Sequence, residues 1–221
     1  PTVTAPTITA CESSVGSGNA TVDLTTYNES VGSGTVTWYN GNPNTGGVPI
    51  TNPTSALLGT GGTPTSLLFV QVTNGSNCSN AVQATVTINS SPVIALTSQT
   101  DVLCNGAATG VIDISVSGGA GAYSYSWSNG ATSEDLTNVV AGTYTVVVTN
   151  TTGNTCNATA TYTITEPSAI ALNASSIDAT CNGVSDGSVN VVVTGGVAPY
   201  AYVWSESSTT AGVGNLVAGT Y

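Results

Sequence analysis

The chain contains no lysine, no arginine and no histidine, against 11 aspartate and glutamate residues, so its formal net charge is −11. Nucleic acid is excluded as a direct partner, because no side chain could neutralise phosphate groups. Anionic lipid surfaces are disfavoured for the same reason. No apolar run is long enough to cross a bilayer, so we expect no direct membrane insertion.

The missing basic residues also narrow the catalytic options to carboxylates, hydroxyls and thiols. Glu134 and Asp135 form the single adjacent acidic pair in the sequence. Their counterparts one repeat later, Ala211 and Gly212, are not acidic. The pair is therefore no fixed part of the repeated unit, and we expect the protein not to be an enzyme.

What the chain does contain is an internal repeat. Residues 104–144 recur without a gap as residues 181–221, at an offset of 77 residues and with 18 of 41 positions identical. Such a period predicts tandem modules of about 75–80 residues. We assign a divergent module to residues 1–90, a repeat module to 91–166 and a second repeat module to 167–221. The last pattern is interrupted at Tyr221, which predicts a fragment of a longer protein.

Alternating apolar residues predict that the modules are all-β. Residues 111–117 alternate in this way, Tyr123, Tyr125 and Trp127 share one strand face, and residues 142–149 form a later strand. About seven short strands and a tryptophan on the third strand are typical of an immunoglobulin-like sandwich. The Ala-Gly-Thr-Tyr sequence that ends at Tyr144 predicts a tyrosine corner.

We therefore expect tandem immunoglobulin-like β-sandwich modules stacked end to end. The aromatic residues expected in their cores are Trp38, Trp127, Trp204, Tyr144 and Tyr221.

Five cysteines divide between two positions of the repeated unit. Cys11, Cys104 and Cys181 follow the first strand, whereas Cys78 and Cys156 lie in the turn before the last strand. The period predicts the disulfides Cys11–Cys78 and Cys104–Cys156. Cys181 is left unpaired, because its partner is expected near position 233. Disulfides indicate an oxidising, extracellular environment.

Calcium is the one ion for which the sequence offers ligands, since hard cations prefer oxygen. Asp101 and Asp178 occupy the same site in two modules, and Glu166 and Asp186 lie near the module boundaries. The alternative is that Asp101 and Asp178 only bond local backbone in an Asx turn. No Asp-x-Asp-x-Asp loop is present. We expect no cofactor, with calcium as a secondary hypothesis.

A carbohydrate-binding module is an alternative function. It requires exposed aromatic side chains, and Tyr27 and Tyr39 are the candidates outside the predicted core strands. A spacer of a secreted hydrolase is a further alternative. Another chain that completes the third module by strand addition is a third.

The repeated motifs resemble a known family. Cys-Asn-Gly, a Gly-Gly pair, Tyr-x-Tyr-x-Trp-Ser, Ala-Gly-Thr-Tyr and Thr-Ile-Thr-Glu-Pro together are similar to the repeats of SprB-type gliding-motility adhesins of the Bacteroidota. Residues 104–166 carry the full pattern and residues 181–221 its first part. The resemblance implies a large cell-surface filament that is exported by the type 9 secretion system.

The sequence therefore predicts a stalk segment of a cell-surface adhesin that supports attachment and gliding. Neighbouring modules of the same chain are its expected partners. The resemblance adds the outer-membrane gliding and secretion machinery, and surface glycans are a further candidate.

Overall fold

The computed structural model describes residues 1–13, 19–59, 67–119, 121–153 and 155–221. These residues form two compact units, each assembled from three stretches of sequence. The first unit comprises Pro1–Ala95, Ile114–Ser133 and Thr145–Ala160. The second comprises Leu96–Asp113, Glu134–Tyr144 and Thr161–Tyr221. The module boundaries read from the repeat, after residues 90 and 166, stay predictions.

Residues 1–90 are built mainly of short strands. These are β1 (Thr7–Cys11), β2 (Asn19–Val22), β3 (Thr35–Asn40), β4 (Val48–Pro49), β5 (Ala56–Gly59), β6 (Leu68–Thr73), β7 (Ser79–Gln83) and β8 (Thr85–Asn89). One sheet has the order β4-β3-β6-β7, β2 pairs with β5, and β1 pairs in parallel with β8. Alternate residues of β6 are buried, as its apolar pattern predicts.

Short helical segments occupy the connections of this region. They are three 3-10 turns, Leu24–Tyr27, Pro43–Thr45 and Pro53–Ser55, and the single-turn helix α1 (Asn28–Val31). The Asp23 carboxylate caps the first turn by accepting a hydrogen bond from the Thr25 amide at 2.9 Å. Leu24 lies in this turn, and its side chain is fully buried.

Residues 91–166 form two three-stranded sheets. The strands are β9 (Pro92–Thr100), β10 (Gly110–Gly118), β11 (Tyr123–Trp127), β12 (Leu136–Val139), β13 (Gly142–Asn150) and β14 (Asn157–Ile164). The sheet orders are β12-β10-β9 and β11-β13-β14. The first, second and fourth strands thus share one sheet, and the third, fifth and sixth share the other. This division is that of the immunoglobulin fold, so the predicted fold class is confirmed.

Residues 167–221 form one sheet, with β16 (Gly187–Thr194) between β15 (Ala171–Ile177) and β17 (Gly212–Leu216). This sheet corresponds to β9, β10 and β12 of the preceding repeat. Residues 200–204, which lie one period after β11, do not form a strand. Their counterpart β11 is held by β13, and residues 167–221 contain no such partner strand. A β-strand needs a hydrogen-bonded neighbour, so the local pattern alone does not produce one.

The core of the first unit is aliphatic with one central tryptophan. Its buried cluster consists of Ile8, Leu24, Val31, Trp38, Ala56, Leu58, Leu68, Val70, Val72 and Ala84. This unit also buries Ile114, Trp127, Val146 and Val148. The second unit buries Val102, Ile112, Leu136, Tyr144, Ile164 and Leu216.

The five aromatic residues expected in the core are not equally buried. Trp38, Trp127 and Tyr144 are 2%, 3% and 8% exposed, respectively. Trp204 is half-buried, and Tyr221 is 37% exposed. The expectation is wrong for these last two, because the sheet to which Trp127 belongs, β11-β13-β14, has no counterpart within residues 167–221. The tyrosine-corner bond is nevertheless made twice, from Tyr144 to the Val140 carbonyl and from Tyr221 to the Val217 carbonyl.

The predicted disulfide pairs Cys11–Cys78 and Cys104–Cys156 are both wrong. The structure joins Cys11 to Cys156, with their Cα atoms 5.5 Å apart. Cys78, Cys104 and Cys181 are exposed free thiols. The bond closes a sequence separation of 145 residues and crosses the predicted module boundary at residue 90.

Strand geometry explains why the predicted pairs do not form. Cys11 lies opposite Asn89 at the end of β8, whereas Cys78 precedes the start of β7. The extended stretch between them spans roughly 30 Å at about 3.3 Å per residue. A disulfide needs Cα atoms about 4.4–6.8 Å apart. In the same way, the length of β14 separates Cys156 from the neighbourhood of Glu166, where the Cys104 loop is held.

Candidate functional site

Two clusters of contacts lie where one predicted module leads into the next. We define the first junction as Cys11, Glu12, Asn89, Ser90, Ser91, Gly119, Asn150 and Cys156, all within the first compact unit. We define the second junction as Asp101, Cys104, Asn105, Gly106, Thr165, Glu166 and Pro167, all within the second unit.

The disulfide is the centre of the first junction. Parallel pairing of β1 with β8 places Cys11 opposite Asn89. The sulfur atom of Cys156 lies 3.8 Å from the Asn89 carbonyl oxygen, and Cys156 is 1% exposed. The bond, which is buried at Cys156 and exposed at Cys11, ties residue 11 to the turn between β13 and β14, and that turn belongs to the following repeat.

Asn150 fills the space beside the disulfide and is 1% exposed. Its side-chain amide donates to the Ser90 carbonyl at 3.3 Å, and its backbone amide donates to the Cys156 carbonyl at 2.9 Å. Gly119 has φ of +58°, and a Cβ there would lie 2.3 Å from the Asn150 Oδ1 position. Glycine is therefore required at residue 119, both for its conformation and for the approach of Asn150.

Glu12 completes the first junction. Its carboxylate accepts a hydrogen bond from the Ser91 amide at 3.0 Å, and its own amide donates to the Asn89 carbonyl at 3.0 Å. Ser91 is 8% exposed, so its amide has little access to water. The carboxylate gives a buried backbone donor its hydrogen bond. Without an acceptor, that donor would destabilise the fold by about 1–3 kcal/mol.

The second junction brings together two motifs that lie far apart in the repeat. Residues 104–107 form a turn in which the Ala107 amide donates to the Cys104 carbonyl at 3.0 Å. Gly106 has φ of +74°, which the third residue of a type II turn requires. The turn aims the Gly106 amide at Glu166, which belongs to the Thr-Ile-Thr-Glu-Pro sequence.

Glu166 holds this turn with both carboxylate oxygens. One oxygen accepts from the Gly106 amide at 2.6 Å and the other from the Asn105 side chain at 3.0 Å. The Asn105 side chain also donates to the Pro167 carbonyl at 3.1 Å. The carboxylate thus ties the loop after β9 to the segment that leads out of β14.

Asp101 makes a parallel contact with Thr165. Its carboxylate accepts from the Thr165 amide at 2.9 Å and from the Thr165 hydroxyl at 2.7 Å. Both hydrogen bonds from Thr165 lower the pKa of Asp101 below its usual value of 3.8, and the bond from the amide has the larger effect. Desolvation of the carboxylate opposes them. The ionised form is the one that accepts these bonds, so the junction is strongest when Asp101 is charged.

We expect the contribution of Asp101 to the stability of the protein to depend on pH in the acid range. Its folded-state pKa is lowered, so the contribution is complete above about pH 3.8 and is lost as pH falls through the lower folded value. The variant Asp101→Asn should melt at a lower temperature than the unmodified protein at pH 6. Its melting temperature should also fall less steeply between pH 4 and pH 2.5, as measured by circular dichroism.

Asp178→Asn is the matched control, because Asp178 lies one repeat after Asp101 and is exposed. The structure shows no contact of Asp178 like that of Asp101 with Thr165. Its acid profile should parallel that of the unmodified protein. Equal acid slopes for Asp101→Asn and the unmodified protein would contradict the assigned role of Asp101.

Three of the four calcium candidates have separate hydrogen-bonding roles, and the fourth, Asp178, is exposed. Asp101 binds Thr165, Glu166 binds the 104–107 turn, and Asp186 accepts from the Thr180 amide and hydroxyl. The two Thr180 bonds, the hydroxyl first, lower the pKa of Asp186 below 3.8. Across the described part of the chain, no three Asp, Glu, Cys or His side chains converge as metal ligands.

The aromatic residues suggested for sugar binding do not form an exposed platform. Tyr27 is half-buried and packs edge-on against Trp38, with ring centroids 6.5 Å apart. Tyr39 is half-buried, and its hydroxyl donates to the Gln71 side chain at 3.1 Å. Both side chains serve packing within the first unit.

An apolar cavity of about 440 Å³ occupies one face of residues 167–221. Its lining includes Leu172, Val191, Val193, Tyr202 and Trp204. Val191 lies one period after Ile114, which is 3% exposed. The cavity wall is thus the surface that forms sandwich core in the preceding repeat.

Sequence reasoning missed several junction residues, above all Glu12, Asn105, Gly106 and Asn150. The signal for two of them is present in the repeat. Asn-Gly follows the cysteine at residues 105–106 and again at residues 182–183. Glu12 and Asn150 carry no such signal, because their partners are backbone groups of residues 90 and 91.

The sheet order and the two tyrosine corners define a protein of tandem immunoglobulin-like β-sandwich repeats. Residues 96–132 and 173–209 each match the SprB repeat. Two SprB repeats therefore lie within the chain, as the motif resemblance indicates. Repeats of this type belong to surface adhesins.

No curated protein matches the sequence. Similar solved structures include Sidekick-1 immunoglobulin domains 1–5, at 14% identity over 87% of this chain and 46% of that chain, with a TM-score of 0.33. The N-terminal eight Ig domains of Down Syndrome Cell Adhesion Molecule isoform 1.30.30 match at 14% identity, 87% and 27% coverage, and a TM-score of 0.44. The chain spans less than half the length of either structure. None of the described helices has the length and apolar character needed to cross a bilayer.

Proposed function

We propose that the chain is a load-bearing stalk segment of a cell-surface adhesin, with a mechanical rather than a catalytic role. The observation that carries this proposal is the Cys11–Cys156 disulfide. It joins two residues 145 positions apart, on either side of the predicted module boundary. A covalent link of this kind lets tension pass from one module to the next without extending the chain between them.

The repeat and the composition support the same function. Two SprB repeats of a surface-adhesin type follow one another in the chain. The lack of lysine and arginine removes every cleavage site for trypsin-like proteases, which suits a protein exposed outside the cell. Lys–Asn isopeptide crosslinks are not available without lysine, so disulfides are the covalent staples open to this chain.

The partners follow from this role. Neighbouring modules of the same chain are the direct ones, and the gliding and secretion machinery of the outer membrane is proposed from the family resemblance. A role in gliding motility, export by the type 9 secretion system and an origin in the Bacteroidota belong to the same proposal. The surface or glycan that the adhesin contacts is proposed to bind elsewhere than at Tyr27 and Tyr39.

Single-molecule stretching between the two termini tests the mechanical role. The disulfide shields 145 of the 221 residues, so the oxidised chain should extend by about 270 Å when fully unfolded. After reduction the same chain should reach about 800 Å, at about 3.6 Å per residue. The difference of roughly 520 Å is the length that the closed loop keeps out of the force path.

Cys78→Ser is the matched control, since Cys78 is an exposed free thiol and its loss should leave both lengths unchanged. Cys11→Ser should reach the longer length without reductant. Equal lengths for the oxidised and reduced protein would refute the load-bearing role of the disulfide.

A further inference from the structure

We propose that Cys104 forms the same kind of disulfide as Cys11, with the hairpin cysteine of the repeat that begins at residue 167, which the 77-residue period places at position 233. Each bond then joins a module to its successor, not two ends of one module. The inference rests on the repeat and on the geometry of the two junctions, and it does not depend on the stalk function.

The linkers of the two junctions are equivalent at the 77-residue period. Ser91 and Gly118 of the first junction region correspond to Ser168 and Gly195 of the second repeat. The Cβ position of Gly118 lies 3.3 Å from the Ser91 carbonyl oxygen. That of Gly195 lies nearest the Ala169 carbonyl oxygen, with the Ser168 hydroxyl 3.1 Å away. The first glycine of each pair therefore lies against the linker at, or next to, the same repeat position.

The cysteine loops are also held at the same linker position. Cys11 lies opposite Asn89. Glu166, 77 residues after Asn89, binds both residues that follow Cys104. Each first-loop cysteine is thus placed beside the segment that enters the next module.

A cavity lies beside Cys104. Cys104, Pro167 and Gly196 line a volume of about 280 Å³ within the second unit. One period before Pro167 and Gly196 lie Ser90 and Gly119, respectively. In the first unit, Asn150 occupies the space between Ser90 and Gly119. In that unit the Asn150 hairpin also carries Cys156 to Cys11. A hairpin of the same sequence in the next repeat would therefore fill the cavity and present its cysteine to Cys104.

The bond forms by thiol–disulfide exchange with a small-molecule disulfide, for which oxidised glutathione is the probe. The Cys104 thiolate attacks glutathione disulfide and releases one glutathione thiolate. The partner thiolate then displaces the second glutathione from Cys104. Two protein thiols lose two protons and two electrons, and one glutathione disulfide becomes two glutathione molecules. Both cysteines end as one S–S bond.

The test extends the full chain by a copy of its own residues 145–166 after Tyr221, which continues the repeat and places a cysteine at position 233. The protein is refolded in a glutathione redox buffer, free thiols are alkylated, and disulfide-linked peptides are identified by mass spectrometry. We expect Cys104 linked to the appended cysteine and Cys11 linked to Cys156. Cys78 and Cys181 should be alkylated.

A link between the appended cysteine and Cys181 would overturn the proposal, as would alkylation of both Cys104 and the appended cysteine. The Cys11–Cys156 peptide in the same digest reports whether the protein has folded. In the extended Cys104→Ser variant, the appended cysteine should be alkylated and should not form a disulfide with Cys181.

A second variant needs no extension. In Cys11→Ser, the geometry predicts that Cys156 remains a free thiol and is alkylated, because β14 separates it from the Cys104 loop. A Cys104–Cys156 link in that variant would instead support pairing within one module and contradict the proposal.

Discussion

Replacing both Cys11 and Cys156 with serine is expected to lower the melting temperature of the first compact unit by about 10–20 °C. The bond closes 145 residues, and loop closure of that length stabilises by about 5 kcal/mol through the entropy of the unfolded chain. For a protein of 150–250 residues, about 1 kcal/mol corresponds to roughly 2–4 °C. Differential scanning calorimetry resolves the transition, and replacing both cysteines avoids a new mispaired thiol.

The matched control is the pair of single variants Cys78→Ser and Cys181→Ser. Both thiols are exposed and free, so each change should alter stability by no more than about 0.5 kcal/mol. Pairing of Cys11 with Cys78 would make Cys78→Ser as damaging as the loss of Cys11. A small effect of the Cys11 and Cys156 double variant, equal to that of the controls, would argue against the closed loop.

Replacing Trp127 with alanine is expected to destabilise the protein by about 3–5 kcal/mol, the usual cost of removing a buried tryptophan. Trp127 is 3% exposed and lies opposite Val146 in the β11–β13 pair. Its indole donates to the Ser133 carbonyl at 2.9 Å. The substitution leaves a cavity and removes the hydrogen bond to the Ser133 carbonyl.

Trp204→Ala is the internal comparison, because Trp204 occupies the same place one repeat later. Its indole makes the same kind of bond, to the Thr210 carbonyl at 2.8 Å, yet the side chain is only half-buried. We expect less than half the loss seen for Trp127→Ala. Urea unfolding measures both values. Similar losses for the two variants would mean that burial does not distinguish the two repeats.

Much of the local structure could be predicted from the sequence. The alternation of Ile112 and Ile114 placed β10 correctly, and both side chains are buried. The Ala-Gly-Thr-Tyr motif predicted the bond from Tyr144 to Val140. Even where tertiary contacts differ, the repeat reproduces local bonds, as in Tyr123 to Gly118 and Tyr200 to Gly195. These bonds span five residues or fewer, so neighbouring sequence suffices to form them.

The junction residues could be predicted only in part. The recurrence of Cys-Asn-Gly at residues 104–106 and 181–183 marks this loop as a constant feature of the repeat, but it does not show that Glu166 binds the Gly106 amide. Glu12 and Asn150 bind backbone groups, which every residue offers. No side-chain pattern in the sequence could have identified those partners.

By itself, the sequence determined the all-β class, the 77-residue period and the positions of most strands within residues 91–166. The tertiary structure alone decided the disulfide and the depth of burial. Cys11 and Cys78 occupy the repeat positions expected of a pair, yet they lie at opposite ends of the β7–β8 stretch. Trp127 and Trp204 occupy the same position of the shared Tyr-x-Tyr-x-Trp-Ser motif, yet only Trp127 has a strand beside it. The period of a sequence shows which residues are equivalent, whereas the course of the strands decides which of them meet.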